Sequence, residues 1–284
     1  MATRPISAGV PAGANREYAL GLARAFGGAV IFGLPLLMTM EMWSLGFSSH
    51  PLRLLLFLAL NFFILVGLSR FGGFERTYSL AEDVLDAFAA YGVGIVASGA
   101  ALFLFGVIEA GMPLGELVGK VAIQSVPGSF GAMLARKQLT GGESEPDEEH
   151  ALRSRGYGGQ MFLMAAGALF LAFNVAPTEE MVLIGFLMSP WHSVALVIVS
   201  LLLLDALVHG LGFAGQKPVP VGNSYRWNFI SYSVVGYGIA LLVSFSVLWI
   251  FGQTDGASLS QIAGTVTVLA FPAAIGAAIA RLVV

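Results

Sequence analysis

Eight apolar runs, each long enough to cross a bilayer, leave this chain few folds to choose from. A hydrocarbon core takes about 20 residues of helix to span, and inside it every backbone N–H and C=O must be paired within the protein. Such runs fall at about 22–47, 51–73, 79–108, 112–137, 160–188, 190–213, 227–251 and 258–283. Charged residues make up only 11% of the 284-residue chain, against about 25% in a soluble domain. The expectation is an all-α membrane protein with eight transmembrane helices.

The segments between the runs divide the chain. Residues 1–21 form a polar arm carrying Arg4 and Arg16. No cleavage site follows, so the first run reads as a retained span rather than a signal peptide. Pro51 suits the first turn of span 2, and Ser79-Leu80-Ala81-Glu82 has the spacing of a capping box. Asp83 and Asp86 read as solvated charges at that helix start. Residues 138–158 hold Glu143, Glu145, Asp147, Glu148 and Glu149 without apolar periodicity; they read as an acidic, flexible cytoplasmic linker. The four-span blocks are then 22–137 and 159–284. Lys and Arg gather on the arm, the 2–3, 4–5 and 6–7 loops and Arg281, with Arg53 the exception, which puts both termini in the cytoplasm. Trp43, Trp191, Trp227 and Trp249 fall at span ends, where an aromatic belt would lie.

The two blocks share more than hydrophobicity. At a gapless shift of 139 residues, Gly28 meets Gly167, Thr39 meets Thr178, Glu41-Met42 meets Glu180-Met181, Gly46 meets Gly185 and Pro51 meets Pro190. Span 4 meets span 8 at a shift of 145: Gly111 with Gly256, Gly119 with Gly264, Pro127 with Pro272, Gly131 with Gly276 and Arg136 with Arg281. Repeats of four spans each return the chain to its starting side. They would therefore be parallel, related by a pseudo-two-fold axis along the membrane normal.

The segments Leu34-Pro35-Leu36-Leu37-Met38-Thr39-Met40-Glu41-Met42-Trp43, Asn174-Val175-Ala176-Pro177-Thr178-Glu179-Glu180-Met181 and Phe271-Pro272-Ala273-Ala274-Ile275-Gly276 resemble a family of bacterial integral membrane proteins of unknown function. The resemblance covers nearly the whole chain. It implies a bacterial inner-membrane protein and supplies no mechanism.

A carboxylate in hydrocarbon is costly and marks a functional site by default. Glu41 and Glu180 lie at matching depth, about ten residues before the 1–2 and 5–6 turns. Pro35 and Pro177 precede them, and each proline frees a carbonyl four residues earlier, Ile31 and Phe173. With Thr39, Thr178, Asn174 and the unmatched Glu179, these are hard oxygen ligands for H⁺, Na⁺ or Ca²⁺. Two close carboxylates would raise at least one pKa; the alternative is protonated glutamates hydrogen-bonded between helices. Asp205 and His209, four apart in span 6, suggest a proton relay or a mutually satisfied pair. Glu116 and Lys120 suggest an ion pair near the surface, with Lys120 snorkelling outward. Glycines in spans 1, 4, 7 and 8 mark close packing.

Enzyme signatures are missing: the chain has no G-x-S-x-G, H-E-x-x-H or P-loop. It has no cysteine, and His50, His150, His192 and His209 lack zinc-ligand spacing. No cofactor is expected, no basic face suggests nucleic acid, and the metal identity is open. The expected function is transport of a small cation by spans 1 and 5, with membrane lipid and further copies of the chain as partners. Two alternatives stand beside it: an oligomeric cation channel with a Glu-lined filter, and a sensor or assembly factor without transport.

Overall fold

The protein is described here from a computed structural model that covers residues 12–72, 79–139, 156–210 and 225–283. The described residues are almost entirely helical and contain no strand. In chain order the elements are α1 (Ala12–Leu37), α2 (Met40–Ser48), α3 (Pro51–Gly72), α4 (Leu80–Leu104), α5 (Leu114–Leu139), α6 (Tyr157–Val175), α7 (Glu179–Leu187) and α8 (Pro190–Asp205). A π-helical turn (Ala206–Gly210) closes α8; α9 (Tyr225–Asn228), a second π segment (Phe229–Val234), α10 (Val235–Ile250) and α11 (Leu259–Val283) complete the chain. Most of the acidic linker and the expected 6–7 loop lie outside the described residues.

Among the described residues seven helices are long and apolar enough to cross a membrane, where the sequence suggested eight. The difference is α5. It has 26 residues, but Lys120, Gln124, Ser125 and Ser129 lower its hydropathy, and every residue from 123 to 133 is buried. It packs against α1, α2, α3 and α4. A helix ringed by other helices has no need of a lipid-compatible face, so its hydropathy falls below that of the seven others. Its neighbours bond to it: Ser98 Oγ of α4 donates to the Gln124 backbone carbonyl at 2.8 Å, and Asn61 Nδ2 of α3 donates to Ser129 Oγ at 3.0 Å.

In the second half α11 packs against α6, α7, α8 and α10. Glycine sets the approach in both halves. A Cβ on Gly28 would strike the Gly131 carbonyl and Ala135; one on Gly167 would strike the Gly276 carbonyl and Ala280. Further along, Gly46 lies against Gly119, and Gly185 against Gly264 and Thr265. Lipid gives apolar helices no hydrophobic reason to associate, so close backbone packing carries the contact.

These contacts also measure the path of the chain. Gly28 and Gly46 are 18 residues apart, but their partners Gly131 and Gly119 only 12. At 1.5 Å per residue the mismatch is about 9 Å. It is absorbed because α1 and α2 are separate helices. The expected continuous span 1 is broken after Leu37, and the expected span 5 is broken after Val175. Gly167 and Gly185, facing Gly276 and Gly264, repeat the spacing of 18 against 12.

The turns α4–α5 and α10–α11 are built alike. Gly106 and Gly111 in one, Gly252 and Gly256 in the other, take φ between 71° and 95°, a region only glycine enters freely. Between the halves the packing is aromatic: Phe32–Phe170 at 5.6 Å, Phe57–Phe251 at 5.4 Å and Phe130–Phe173 at 5.6 Å between ring centroids.

One expectation is corrected. Asp83 is not a solvated helix-start charge but is 1% exposed. Ser69 Oγ reaches its carboxylate at 3.3 Å and that of Asp86 at 3.0 Å, and Arg70 Nη1 lies 3.7 Å away. The α3–α4 pairing turns this first-turn residue inward, where it needs those donors.

Substituting Gly28 or Gly167 by Ala is expected to destabilise the folded protein by about 1–3 kcal/mol through overpacking. Gly27→Ala, where a Cβ meets nothing within 4 Å, is expected to be neutral or slightly stabilising. Thermal unfolding in detergent measures the difference.

Candidate functional site

The two helix breaks carry the residues that the sequence singled out. Thr39 and Thr178 occupy the N-cap positions of α2 and α7 with extended backbone, at φ −101°, ψ 113° and φ −78°, ψ 139°. Neither hydroxyl caps the helix that follows. Thr39 Oγ1 donates back to the Pro35 carbonyl at 2.7 Å, and Thr178 Oγ1 to the Val175 carbonyl at 2.9 Å. Asn174 is likewise turned back, its Nδ2 donating to the Phe170 carbonyl at 2.6 Å. These three expected ligands therefore spend their donors on the ends of α1 and α6, while their oxygens keep acceptor capacity.

A broken helix leaves carbonyls without helical donors. Each break is met by a glutamine from elsewhere in its own half. Gln124 Nε2 on α5 donates to the Leu36 carbonyl at 2.8 Å, and Gln253 Nε2 in the α10–α11 turn donates to the Ala176 carbonyl at 2.6 Å. Both side-chain oxygens, Gln124 Oε1 and Gln253 Oε1, are buried without a partner among the described residues. Sequence reading passed over both glutamines. A buried amide inside an apolar run was the available signal for Gln124, whereas Gln253 lies in a turn where nothing marks it.

Glu41 begins α2, and Glu179 and Glu180 begin α7. The amide-rich helix start is favourable to a carboxylate. Glu41 is partly buried and Glu179 and Glu180 are exposed. None of the three carboxylates has a hydrogen bond or ion pair among the described residues. α2 lies on α5 and α7 on α11, and no bond joins the two carboxylate-bearing segments. Asp205 accepts a hydrogen bond from Ser233 Oγ at 2.7 Å, across the point where α8 passes into its π turn; the His209 side chain lies outside the described residues. Among the described residues no cluster of three or more His, Asp or Glu is placed to hold a metal ion.

A second polar region lies where the α2–α3, α4–α5 and α10–α11 connections come together. Lys120 is buried there, not extended to the surface. Its Nζ pairs with Glu116 at 2.7 Å, approaches the Val107 carbonyl at 3.4 Å, and lies 5.2 Å and 5.4 Å from the ring centres of Trp43 and Phe47. The expected ion pair is present, inside a cage of two α2 aromatics. Nearby, Arg53 of α3 makes a bidentate bridge to Asp255 at 2.7 and 3.0 Å and stacks over Trp249 at 4.9 Å. This bridge joins the two halves and holds the Asp255 carboxyl below its ordinary pKa through the Arg53 hydrogen bonds. Asp255 borders two cavities. One of about 330 Å³ is lined by Val182, Phe186, Gln253, Gln261 and Thr265, and one of about 450 Å³ by Ser49, His50, Arg53 and Phe251.

The family described as "Putative integral membrane protein (DUF2391)" matches residues 21–284 of the chain. No curated protein and no solved structure matches it.

Two outcomes follow from this geometry. Gln124→Leu removes one of two donors to the Leu36 carbonyl, which keeps the Thr39 N–H at 3.1 Å, and is expected to cost about 0.5–1.5 kcal/mol in a detergent unfolding titration. Asp255→Asn is expected to lower the thermal midpoint at neutral pH. Because the folded pKa of Asp255 is depressed, its contribution is complete above the ordinary aspartate pKa. It disappears as pH falls through the lowered folded value. The wild-type and Asp255→Asn midpoints should therefore converge as pH drops below about 4, and also at high salt, since the pair is exposed.

Proposed function

The chain belongs to this family of integral membrane proteins, and from that premise we propose that it transports a small cation, H⁺, Na⁺ or Ca²⁺, through its two broken helices. The carrying observation is the pair of interruptions at Leu37–Met40 and Val175–Glu179. Secondary transporters use discontinuous helices of this kind, with unwound carbonyls and half-helix ends presented to substrate and coupling ion at a repeat interface. Glu41 and Glu180 are the proposed protonation or binding groups. Glu179, Thr39, Thr178 and Asn174 supply further oxygens, and Asp205 with His209 forms a proton path toward the cytoplasm.

The proposal counts α5 as an eighth crossing and takes the halves as parallel repeats. Three observations support this. α5 runs beside α1 and α2 from Gly131 to Gly119, as α11 runs beside α6 and α7 from Gly276 to Gly264. The α4–α5 and α10–α11 turns share their left-handed glycines. Both breaks recruit a glutamine amide. With both termini in the cytoplasm of a bacterial inner-membrane protein, the α2–α3 and α10–α11 turns and their cavities face outward.

One observation favours a second reading, the oligomeric channel. Glu179 and Glu180 are exposed on the surface of the protomer. A carboxylate at that depth calls for water or a polar partner, and a neighbouring copy lining a shared pore supplies both.

Ion flux into proteoliposomes tests the proposal, with H⁺, Na⁺ and Ca²⁺ dyes trapped inside and K⁺ as a control. Wild-type flux is expected for one of the ions, falling at least tenfold in Glu41→Gln/Glu180→Gln protein of unchanged thermal midpoint. Undiminished flux in that variant would move the pathway away from the breaks. Absence of flux from folded wild-type protein would end the transport reading.

A further inference from the structure

The two halves meet through unlike faces. α3 of the first half packs on α6 and α10 of the second. A Cβ on Gly67 of α3 would strike the Phe162 ring of α6, Phe57 meets Phe251, and Arg53 bridges Asp255. The repeat supplies the equivalents of these residues. The shift of 139 carries Arg53, Phe57 and Gly67 to His192, Leu196 and Ala206 at α8, and carries Phe162 and Phe173 back to Ala23 and Leu34 of α1. A shift of 146 pairs Tyr91 with Tyr237, Ser98 with Ser244 and Gly106 with Gly252, and so Leu104 with Ile250, Phe105 with Phe251 and Glu109 with Asp255. An exact two-fold would use the contact twice, the second time between α8 and the α1–α4 side. Among the described residues α8 has no comparable packing on α1 or α4, and those faces are open. Ile250 is 4% exposed but Leu104 81%, Phe251 6% but Phe105 48%, Phe173 0% but Leu34 41%.

We infer that a second copy of the chain covers these faces, its α8 docking on the α1–α4 side of the first copy as α3 docks on the α6–α10 side within one chain. A contact between unlike faces leaves one of each kind free, so it can repeat from copy to copy. Exposed apolar side chains alone would not carry this, because lipid covers them as well as protein does. What points to a copy is that the open faces keep the pairing chemistry of the filled ones. His192 stands where Arg53 stands. Its Nδ1 accepts from the Ser189 N–H at 3.3 Å, so the neutral ring carries its proton on Nε2 and has it to donate. Glu109 stands where Asp255 stands, exposed and without an ion pair among the described residues. Deeper in the membrane, Phe162 fills the gap over Gly67 inside the chain, whereas the open faces offer Ala23 and Ala206. Two small residues let helix backbones approach closely.

The inference rests on the parallel repeats taken above and not on ion flux. Its test exploits the absence of cysteine. Full-length Glu109→Cys and His192→Cys proteins with different tags are co-expressed and treated in the membrane with a short bis-maleimide. A covalent pair carrying both tags is expected. Neither variant alone should form one, because a head-to-tail contact brings unlike positions together. Like-with-like products without the mixed pair would mean a two-fold dimer and overturn the inference. Native mass spectrometry of the wild type from mild detergent should show two or more copies per particle. His192→Asp, which sets a like charge against Glu109, should lower that population at least tenfold, and His192→Arg/Glu109→Asp, which reproduces the Arg53–Asp255 pair, should retain it. Wild-type protein found only as a monomer overturns the inference. An impermeant maleimide separates this from the repeat reading. Both cysteines labelled from one side with no mixed pair would sink the inference alone; labelling from opposite sides would remove the parallel arrangement beneath it. Flux that fails in protein that still pairs would overturn the transport reading alone.

Discussion

A helix cannot be interrupted inside a membrane unless something takes over the hydrogen bonds it gives up. This chain interrupts two. At each break the threonine hydroxyl turns back onto the preceding helix, and a glutamine amide arrives from outside it. The glutamines come from different elements, one from the body of α5 and one from the turn before α11. The requirement is met twice by separate means, which indicates that the break itself is what both halves need. The carboxylates that begin α2 and α7 exist as helix-start residues only because the preceding helix has stopped.

The glycine contacts make those breaks geometrically necessary. α1 and α2 are pinned to α5 at Gly28 and Gly46, and α6 and α7 to α11 at Gly167 and Gly185. Between the two pins the outer chain is six residues longer than the central helix in both halves. A continuous straight helix cannot satisfy both contacts. The excess is taken up at the break, away from the central helix, where Met38 and Met40 are exposed. Packing, interruption and the placing of Glu41 and Glu180 thus belong to one arrangement. The end that carries the α4–α5 and α10–α11 turns is organised differently, by charge: Lys120 with Glu116, and Arg53 with Asp255.

Much of this was legible in the sequence, because it depends on residue types that leave a periodic trace. Apolar runs gave the helices, and the glycines of spans 1, 4, 7 and 8 marked close packing without naming the partners, which are α5 for α1 and α11 for α6. What escaped depends on partners that are distant in the chain. Pro35 and Pro177 signalled a kink, but Pro35 remains within α1 and the break follows it, so the proline rule gave the neighbourhood and not the site. The Asp83 charge looked solvated because Ser69 and Arg70 come from another helix. The burial of α5 on four neighbours was not foreseen, because composition does not reveal what surrounds a helix. Gln253 left no trace, since a glutamine in a turn is ordinary until the turn folds over a broken helix.

The central claim is that the two breaks are equivalent, water-reached and open to the same side of the membrane. The chain contains no cysteine, so single cysteines report cleanly. Thr39→Cys and Thr178→Cys proteins in sealed, oriented vesicles should both react with a membrane-impermeant maleimide added from one and the same side. Phe63→Cys, on an exposed apolar face of α3, should stay unlabelled. Labelling of the two break positions from opposite faces, or labelling of neither, would contradict the account.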